Sequence, residues 1–475
     1  MPRTFILQNF GLLILFLFAL TNCGPVSDKK PLEEVDLAIE NAQIITMDAE
    51  WSSWQTGTLL VRGGEIIALG PDSLLKGTYE AKKVIDGRDK ILLPGLVNAH
   101  THLPMTLLRG YADDLSLESW LQDHIWPAEA AIMDAEAVYA GSLLGMAELI
   151  RGGTTCFNDM YFFADEIAKA AIEAGLRGRV GEGLLDFPTP NAQDTAESLA
   201  YTRKLLQKYQ DHPLVGVSIS PHSPYACGTE LLQKAASLAT QHEVPLHIHL
   251  AETRTEVGII QDRFGLSPAA YLENIGLLRP GFIGAHGVQL NEADQQILAS
   301  RQVGIAHCPE SNMKLASGIA PVSSMQKAGI TVGLGTDGAA SNNDLDLFEE
   351  MSTAAKLHKV AEMDPQVLPA REILAMATIE GARLLGWEDK IGSLEVGKRA
   401  DMILVNTSPL HLQPLYNVYS HLVYSADGGD VSDVVVEGRL LMENHRLLTL
   451  DEQQIISRAQ FYRDQLLSVT TAENN

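Results

Sequence analysis

Two histidines stand one residue apart, His100 and His102, where the apolar run "ILLPGLVNA" ends. Residues i and i+2 of a strand point to the same face, so the two imidazoles can converge on one point. Neutral imidazole is the commonest metal ligand in proteins. The pair alone is equally compatible with two hydrogen-bonded histidines at a strand end. Further along, His222, His249 and His286 close the stretches "VGVSISPH", "PLHIH" and "GFIGAH", and Asp337 follows "ITVGLGT". Three neutral imidazoles and a carboxylate, assigned as His100, His102, His249 and Asp337, make a mononuclear site with room for water. Zinc suits that donor set best, and Fe2+ or another divalent cation also fits. Such a cation lowers the pKa of its water toward neutrality. His247 shares a strand face with His249 and is a rival ligand.

A second chemical group accompanies the first. Glu252 follows His249 in "HIHLAE", just beyond the strand end, where it can shuttle a proton. The plainer reading of Glu252 is a solvated loop carboxylate. His286, in "GAHGV", is a candidate partner for an attacking water, or else a satisfied core histidine. Asp337 can both touch the metal and accept the water's proton.

These residues need a frame that gathers strand ends. From Pro94 onward, strand-like runs alternate with helical patterns such as "AVYAGSLLGMAELIRGG", "TELLQKAASLATQHE" and "NEADQQILASRQ". The runs number eight: "GLVNAH", "TTCFNDM", "RGRVGEGLLD", "LVGVSISPHS", "PLHIHLAE", "GFIGAHGV", "VGIAHCPESN" and "ITVGLGTDG". Eight such units predict an α/β fold, a (β/α)8 TIM-like barrel over residues 94–394. His100 and His102 then end strand one, His222 strand four, His249 strand five, His286 strand six and Asp337 strand eight. Barrels of this kind collect functional residues from the carboxyl ends of several strands on one face. A chance scatter would not pick strand ends repeatedly, so the metal reading outweighs the bland one.

Residues 36–93 hold short β runs punctuated by Gly63-Gly64 and Asp86-Gly87. A β-rich tail over 395–448 can complete the sheet they begin, and 449–475 reads as a C-terminal helix. Residues 24–35 read as a polar linker. Residues 1–23 carry a short apolar core, "GLLILFLFAL", that resembles a secretory signal. "LTNC" resembles a bacterial lipobox that would lipidate Cys23 and tether the chain in the periplasm; otherwise the expected location is the cytoplasm. Asn22 and a single Arg3 depart from the usual pattern.

The chain has 475 residues, 46% of them hydrophobic and 20% charged, as in ordinary globular proteins. Its 35 basic and 60 acidic residues leave a net charge of −25, which argues against nucleic acid or an anionic membrane surface as a partner. Apart from Cys23, the cysteines are Cys156, Cys227 and Cys308, scattered without disulfide or zinc-finger spacing, and they read as buried thiols.

Five stretches carry a family resemblance: "PGLVNAHTHLPMTLLRGYADDLSLESWL", "HIHLAE", "AHCPESNMKLASGIAPV", "GLGTDGAASNNDLDLFEEM" and "IGSLEVGKRADMIL". The chain resembles the amidohydrolase superfamily and, within it, the 5-methylthioadenosine/S-adenosylhomocysteine deaminases, from about residue 36 to 445. The resemblance implies a distorted barrel with a small composite β-sandwich built from the N- and C-terminal segments. It implies that Glu129 grips the ribose hydroxyls, as a carboxylate can accept from two adjacent hydroxyls at once. It implies that His222 binds substrate and that Glu252 is the acid/base at the purine ring nitrogen. Trp120 resembles an aromatic lid residue and equally fits ordinary core.

The implied reaction is hydrolytic deamination of the cyclic amidine of adenine. Water attacks C6, the adjacent ring nitrogen is protonated, and ammonia leaves an inosine-type product. Strand four ends without a lysine that could bridge two metals, so a mononuclear site is expected. Expected partners are one Zn2+ per subunit, a small purine nucleoside and further copies of the chain. Rival readings are an amidohydrolase acting on a free base, a pterin or a triazine, and a non-catalytic metal-binding lipoprotein. The segment 180–202 contains no arginine to meet a homocysteine carboxylate, so S-adenosylhomocysteine is expected to be handled less well than methylthioadenosine or adenosine.

Overall fold

The computed structural model describes residues 32–473. Cys23 and the expected export signal lie outside the described residues. The chain opens with β1 (Glu33–Ile45), β2 (Ser53–Arg62), β3 (Glu65–Pro71), β4 (Tyr79–Asp86) and β5 (Lys90–Pro94). β1 starts inside the segment expected to be linker: Val35 and Leu37 are buried, and alternation against a packed face sets the strand start. Gly63 and Gly64 form the two-residue turn between β2 and β3, with φ of +60° and +79° that non-glycine residues resist. Asp86-Gly87 is a turn but not a hairpin, because β4 and β5 do not pair with each other. Both run parallel to β1, β4 along its first part and β5 along Gln43–Ile44.

Next come the parallel strands β6 (Leu96–Thr101), β7 (Thr154–Tyr161), β8 (Arg177–Leu184), β9 (Val215–Val217), β10 (Ser220–Pro221), β11 (Leu246–Leu250), β12 (Phe282–His286), β13 (Gly304–His307) and β14 (Val332–Leu334). They fall where the eight expected strands fall, with β9 and β10 dividing the fourth. All but one of the residues in these strands are buried, as expected of strands covered on both faces. The expected helices are present at Ala135–Arg151, Thr229–Gln241 and Glu292–Ser300, the last opened by a capping box between Asn291 and Asp294.

The parallel strands form two sheets, one of β6 to β10 and one of β11 to β14. Two isolated parallel bridges join them, Thr101 to Asp337 and Ile219 to Leu246. The fold is thus TIM-type α/β, but its ladder is not continuous: each seam is a bridge and a few main-chain hydrogen bonds, as from Asp337 N to His100 O at 3.0 Å. The second seam likewise has His249 N donating to His222 O at 3.0 Å. Both seams therefore pass through site residues.

The chain ends with β15 (Met402–Asn406), β16 (Val431–Val436), β17 (Arg439–Glu443) and β18 (Arg446–Leu447), then a helix at Glu452–Glu473. β15 pairs with β5, so strands from both ends share one nine-stranded sheet. Leu37, Ile39, Leu59, Leu92, Met402 and Leu404 are among its packed core. A buried Arg177, whose Nε lies 2.6 Å from Asp401, ties β8 to this sheet. Among the described residues no helix is long and apolar enough to cross a membrane. Cys156, Cys227 and Cys308 are free and buried, as expected.

Candidate metal centre and substrate cavity

Strand ends bring the site together. His100 lies in β6 and His102 just after it; His249 is in β11, and His286 is the last residue of β12. Asp337 follows β14 with φ of +61°, and the approach of its segment to β6 depends on Gly335. A Cβ at Gly335 would lie 2.7 Å from His100 N, so only glycine lets the two chains come this close.

The imidazoles and the carboxylate face one centre. Asp337 Oδ1 is 3.4 Å from His100 Nε2 and 3.2 Å from His102 Nε2. His102 Nε2 and His249 Nε2 are 3.2 Å apart. Ligand atoms of His100, His102 and His249, and likewise of His100, His286 and Asp337, lie within 4.8 Å of one another. Each ring's second nitrogen is engaged elsewhere. His102 Nδ1–H donates to Met160 O, and His249 Nδ1–H donates to His222 O at 2.7 Å.

Those partners decide what can sit at the centre. A carbonyl only accepts, so Nδ1 of His102 and of His249 must carry the proton, and a neutral ring then points a bare lone pair from Nε2. Two lone pairs 3.2 Å apart repel unless positive charge lies between them. His100 Nε2, fully buried, has no hydrogen-bond partner. Burial resists charge on His102, yet the Asp337 carboxylate outweighs burial and lifts its pKa to about 9. Asp337 itself is held well below the carboxylate range, burial being overcome by the imidazoles of His100 and His102 beside it. The centre therefore favours positive charge, which a proton on His102 or a bound cation supplies, and its N3O donor set fits a divalent metal.

His247 does not face the centre. Its Nε2 lies 2.9 Å from His100 Nδ1, so the structure removes it as a rival ligand. His286 donates from Nδ1–H to Asn312 Oδ1 at 3.0 Å, which leaves Nε2 free 3.7 Å from Glu252 Oε2. Glu252 is buried, not a solvated loop carboxylate, and burial raises its pKa. Ser311 Oγ and Ser341 Oγ donate to Asp337 Oδ2 at 2.7 and 2.9 Å, which fixes the carboxylate with Oδ1 inward.

A concave cavity opens above this cluster, lined mostly by apolar side chains with a few polar groups, as small-molecule sites are. Glu129 lies in its wall, with Tyr161 OH donating to its Oε1 at 2.6 Å. Burial pushes the Glu129 carboxyl up to about 7. His222 also lines it; burial first, then the nearby His102, hold its ring neutral, down to about 3. Trp120 is both lining and core: it is buried and donates from Nε1 to Ala112 O at 3.0 Å. One helical segment, Leu117–Ile132, supplies Trp120, Trp126 and Glu129, and at Trp120–Ile125 it widens into a π turn, a device common at functional sites.

Sequence reasoning misses Tyr161, which ends β7, Ser311 and Asn312, which sit in the short helix Pro309–Lys314, and Ser341, in the turn after Asp337. It also misses Asp159, fully buried beside His102, whose Oδ2 accepts Leu103 N at 2.6 Å.

Comparison with known proteins agrees with the geometry. The amidohydrolase family matches residues 91–441. A 5-methylthioadenosine/S-adenosylhomocysteine deaminase of Syntrophobacter fumaroxidans is 47% identical, over 90% of this chain and 97% of the relative. A 5'-deoxyadenosine deaminase of Methanosarcina acetivorans is 44% identical, over 92% of this chain and 100% of the relative. The crystal structure of an adenosine deaminase from Xanthomonas campestris with bound zinc superposes with a TM-score of 0.91 at 41% identity, covering 92% of this chain and 100% of that one. The chain belongs to the amidohydrolase family and, within it, to the group of 5-methylthioadenosine/S-adenosylhomocysteine deaminases.

Proposed function

We propose that the chain is a metal-dependent hydrolytic deaminase of adenine nucleosides, releasing ammonia and an inosine-type product. One observation carries the reading: the cavity holds, on the same walls, a cluster able to ligate a divalent cation, the buried acid Glu252 and a second buried carboxylate, Glu129, suited to a ribose. A free base, pterin or triazine has no vicinal hydroxyls to need Glu129, which ranks those substrates second.

His100, His102, His249 and Asp337 would hold a single divalent cation, with zinc favoured by the donor set. Such a cation would supply Lewis-acid activation of water, drawing its pKa toward neutrality. Glu252, whose pKa burial raises, donates to the purine ring nitrogen next to C6. His286 Nε2 and Asp337 Oδ1 face the centre and take the proton of the water that attacks C6. Breaking the C6–amino bond then sends that proton to the leaving nitrogen as ammonia, while the C6 hydroxyl proton passes to Glu252, leaving the C6 carbonyl and the acid restored. Glu129 accepts from the ribose hydroxyls, steadied by Tyr161, while His222 lines the same cavity and bounds the nucleoside.

The same reading treats the two parallel sheets as one distorted (β/α)8 barrel over 94–394. It treats 36–93 and 395–448 as a composite β-sandwich, supported by the sheet that β5 and β15 share. The test is ultraviolet turnover of adenosine, 5′-methylthioadenosine, guanine and cytosine by metal-depleted and zinc-restored protein. Zinc-restored turnover of the nucleosides alone is expected; turnover of a free base alone overturns the reading.

A further inference from the structure

We propose that His247 is a positioning residue for His100: it accepts the His100 Nδ1 proton and so reserves His100 Nε2 for the cation. This rests on the metal reading of the site. His100 Nδ1 and His247 Nε2 are 2.9 Å apart, and both side chains are fully buried. A hydrogen bond between two neutral imidazoles holds one proton, which belongs to one ring or the other.

The two assignments have opposite consequences. If His247 Nε2 carries the proton, a neutral His100 must keep its own proton on Nε2, aimed at the centre, where it blocks coordination. If His100 Nδ1 carries it, Nε2 offers a lone pair. His247 must then hold its proton on Nδ1, a buried atom with no hydrogen-bond partner. Without a cation, a bare Nε2 of His100 would turn its lone pair on Asp337 Oδ1 at 3.4 Å, which places the proton on Nε2. Loading the cation therefore moves both rings to their other tautomers, with no net change in protons on the pair.

The neighbouring ligands lack this freedom. His102 and His249 donate to the carbonyls of Met160 and His222, which cannot give a proton back. Among the three imidazole ligands only His100 leans on a partner that can donate or accept. A His247 that switches makes His100 the ligand whose readiness depends on the metal itself.

The test compares full-length His247→Phe, which keeps a ring but cannot accept, with His247→Gln, which keeps an acceptor oxygen. Zinc affinity is read by chelator competition, and folding by circular dichroism and Tm. His247→Phe is expected to weaken zinc ~10–100-fold, and His247→Gln to stay within a few-fold of the parent. In ¹⁵N spectra of histidine-labelled parent protein, His247 is expected to carry its proton on Nδ1 when zinc is bound and on Nε2 when it is removed. Parent-like zinc affinity in His247→Phe overturns the proposal, as does equal loss in both variants or an unchanged His247 tautomer. The spectra decide the matter if His247→Phe does not fold. Parent-like zinc binding in His100→Ala would instead sink the metal reading on which the proposal stands.

Discussion

The carboxylate of Glu256 spans two consecutive peptide N–H groups, accepting from Ala251 N at 2.9 Å and from Glu252 N at 2.7 Å. Ala251 sits at φ of +51°, a conformation that non-glycine residues resist, and this sharp turn swings Glu252 back toward His286. Glu256, itself buried, is thus the clamp that aims the acid. Glu256→Ala strips two buried donors of their partner, a cost of ~1–3 kcal/mol each, so Tm falls. Glu256→Gln keeps one acceptor and is the informative change. Its expected result is a kcat lower by ~10–100-fold with little change in KM, because misplacing a reacting group by about 1 Å costs that much. Steady-state kinetics with a Tm control checks it; a lower Tm with unchanged kcat would make Glu256 merely structural.

Glu129 gives the site a pH dependence of its own. Its carboxyl is pushed up to about 7 by burial, with Tyr161 working in the other direction. Below that pH the group is neutral and spends one oxygen as a donor; above it, both oxygens accept. Ribose hydroxyls select the ionised form, so kcat/KM rises with pH through about 7, and KM climbs as the pH falls below it. Glu129→Gln is expected to raise KM ~10-fold or more and to abolish that step, since a hydrogen bond to a charged group contributes ~1.5–3 kcal/mol. Profiles of kcat/KM against pH for the parent and Glu129→Gln decide it, and an identical step in both would refute it.

Much of this site is legible in the sequence, for a physical reason. An imidazole at or one residue before the end of a fully buried strand, as His100, His249 and His286 are, must meet a partner there, and a TIM-type fold brings such ends to one face. Glu129 has no comparable signature. It occupies the first turn of "WPAEAAI", where glutamate is ordinary, and its partner Tyr161 lies 32 residues away. The π turn at Trp120–Ile125 is likewise silent, because widening a helix by one residue needs no special side chain. Ser311 and Ser341 become meaningful only once Asp337 sits between them. The start of β1 at Glu33 is hidden by charges on its exposed residues; only the buried Val35 and Leu37 betray it.

Removing the metal should be visible without any substrate. A ligand that binds only the folded chain stabilises it according to its concentration, ~2.7 kcal/mol at a hundredfold excess over Kd. Chelation is expected to lower Tm by several degrees, and zinc to restore it. Asp337→Asn removes the inward charge while leaving Ser311 and Ser341 an oxygen to bond. It is expected to lose zinc affinity and ~10²–10⁴-fold in kcat, the range of a general base, with a chelator-insensitive Tm. Calorimetry with and without chelator, and elemental analysis of the dialysed variant, would detect the opposite outcome.

The 5′ end of the nucleoside meets a wall with a clear bias. The cavity that holds Glu252 and Glu129 is also lined by Trp126, Phe162 and Leu185, with Phe187 edge-on to Trp126 at 5.5 Å. No lysine or arginine lines this cavity, among the described residues. An apolar methylthio or deoxy group gains ~0.8 kcal/mol per buried carbon there, whereas a homocysteine carboxylate leaves water without a partner. The expected order of kcat/KM is therefore 5′-methylthioadenosine and 5′-deoxyadenosine first, adenosine next and S-adenosylhomocysteine last. Trp126→Ala should lower kcat/KM for methylthioadenosine by ~10-fold, ~1–3 kcal/mol being the scale of an apolar contact in a specificity pocket, and should spare adenosine. Kinetics over the four substrates settles the order: a homocysteine conjugate that came out best would require a cation from outside this cavity, and the apolar wall would then have no part in selection.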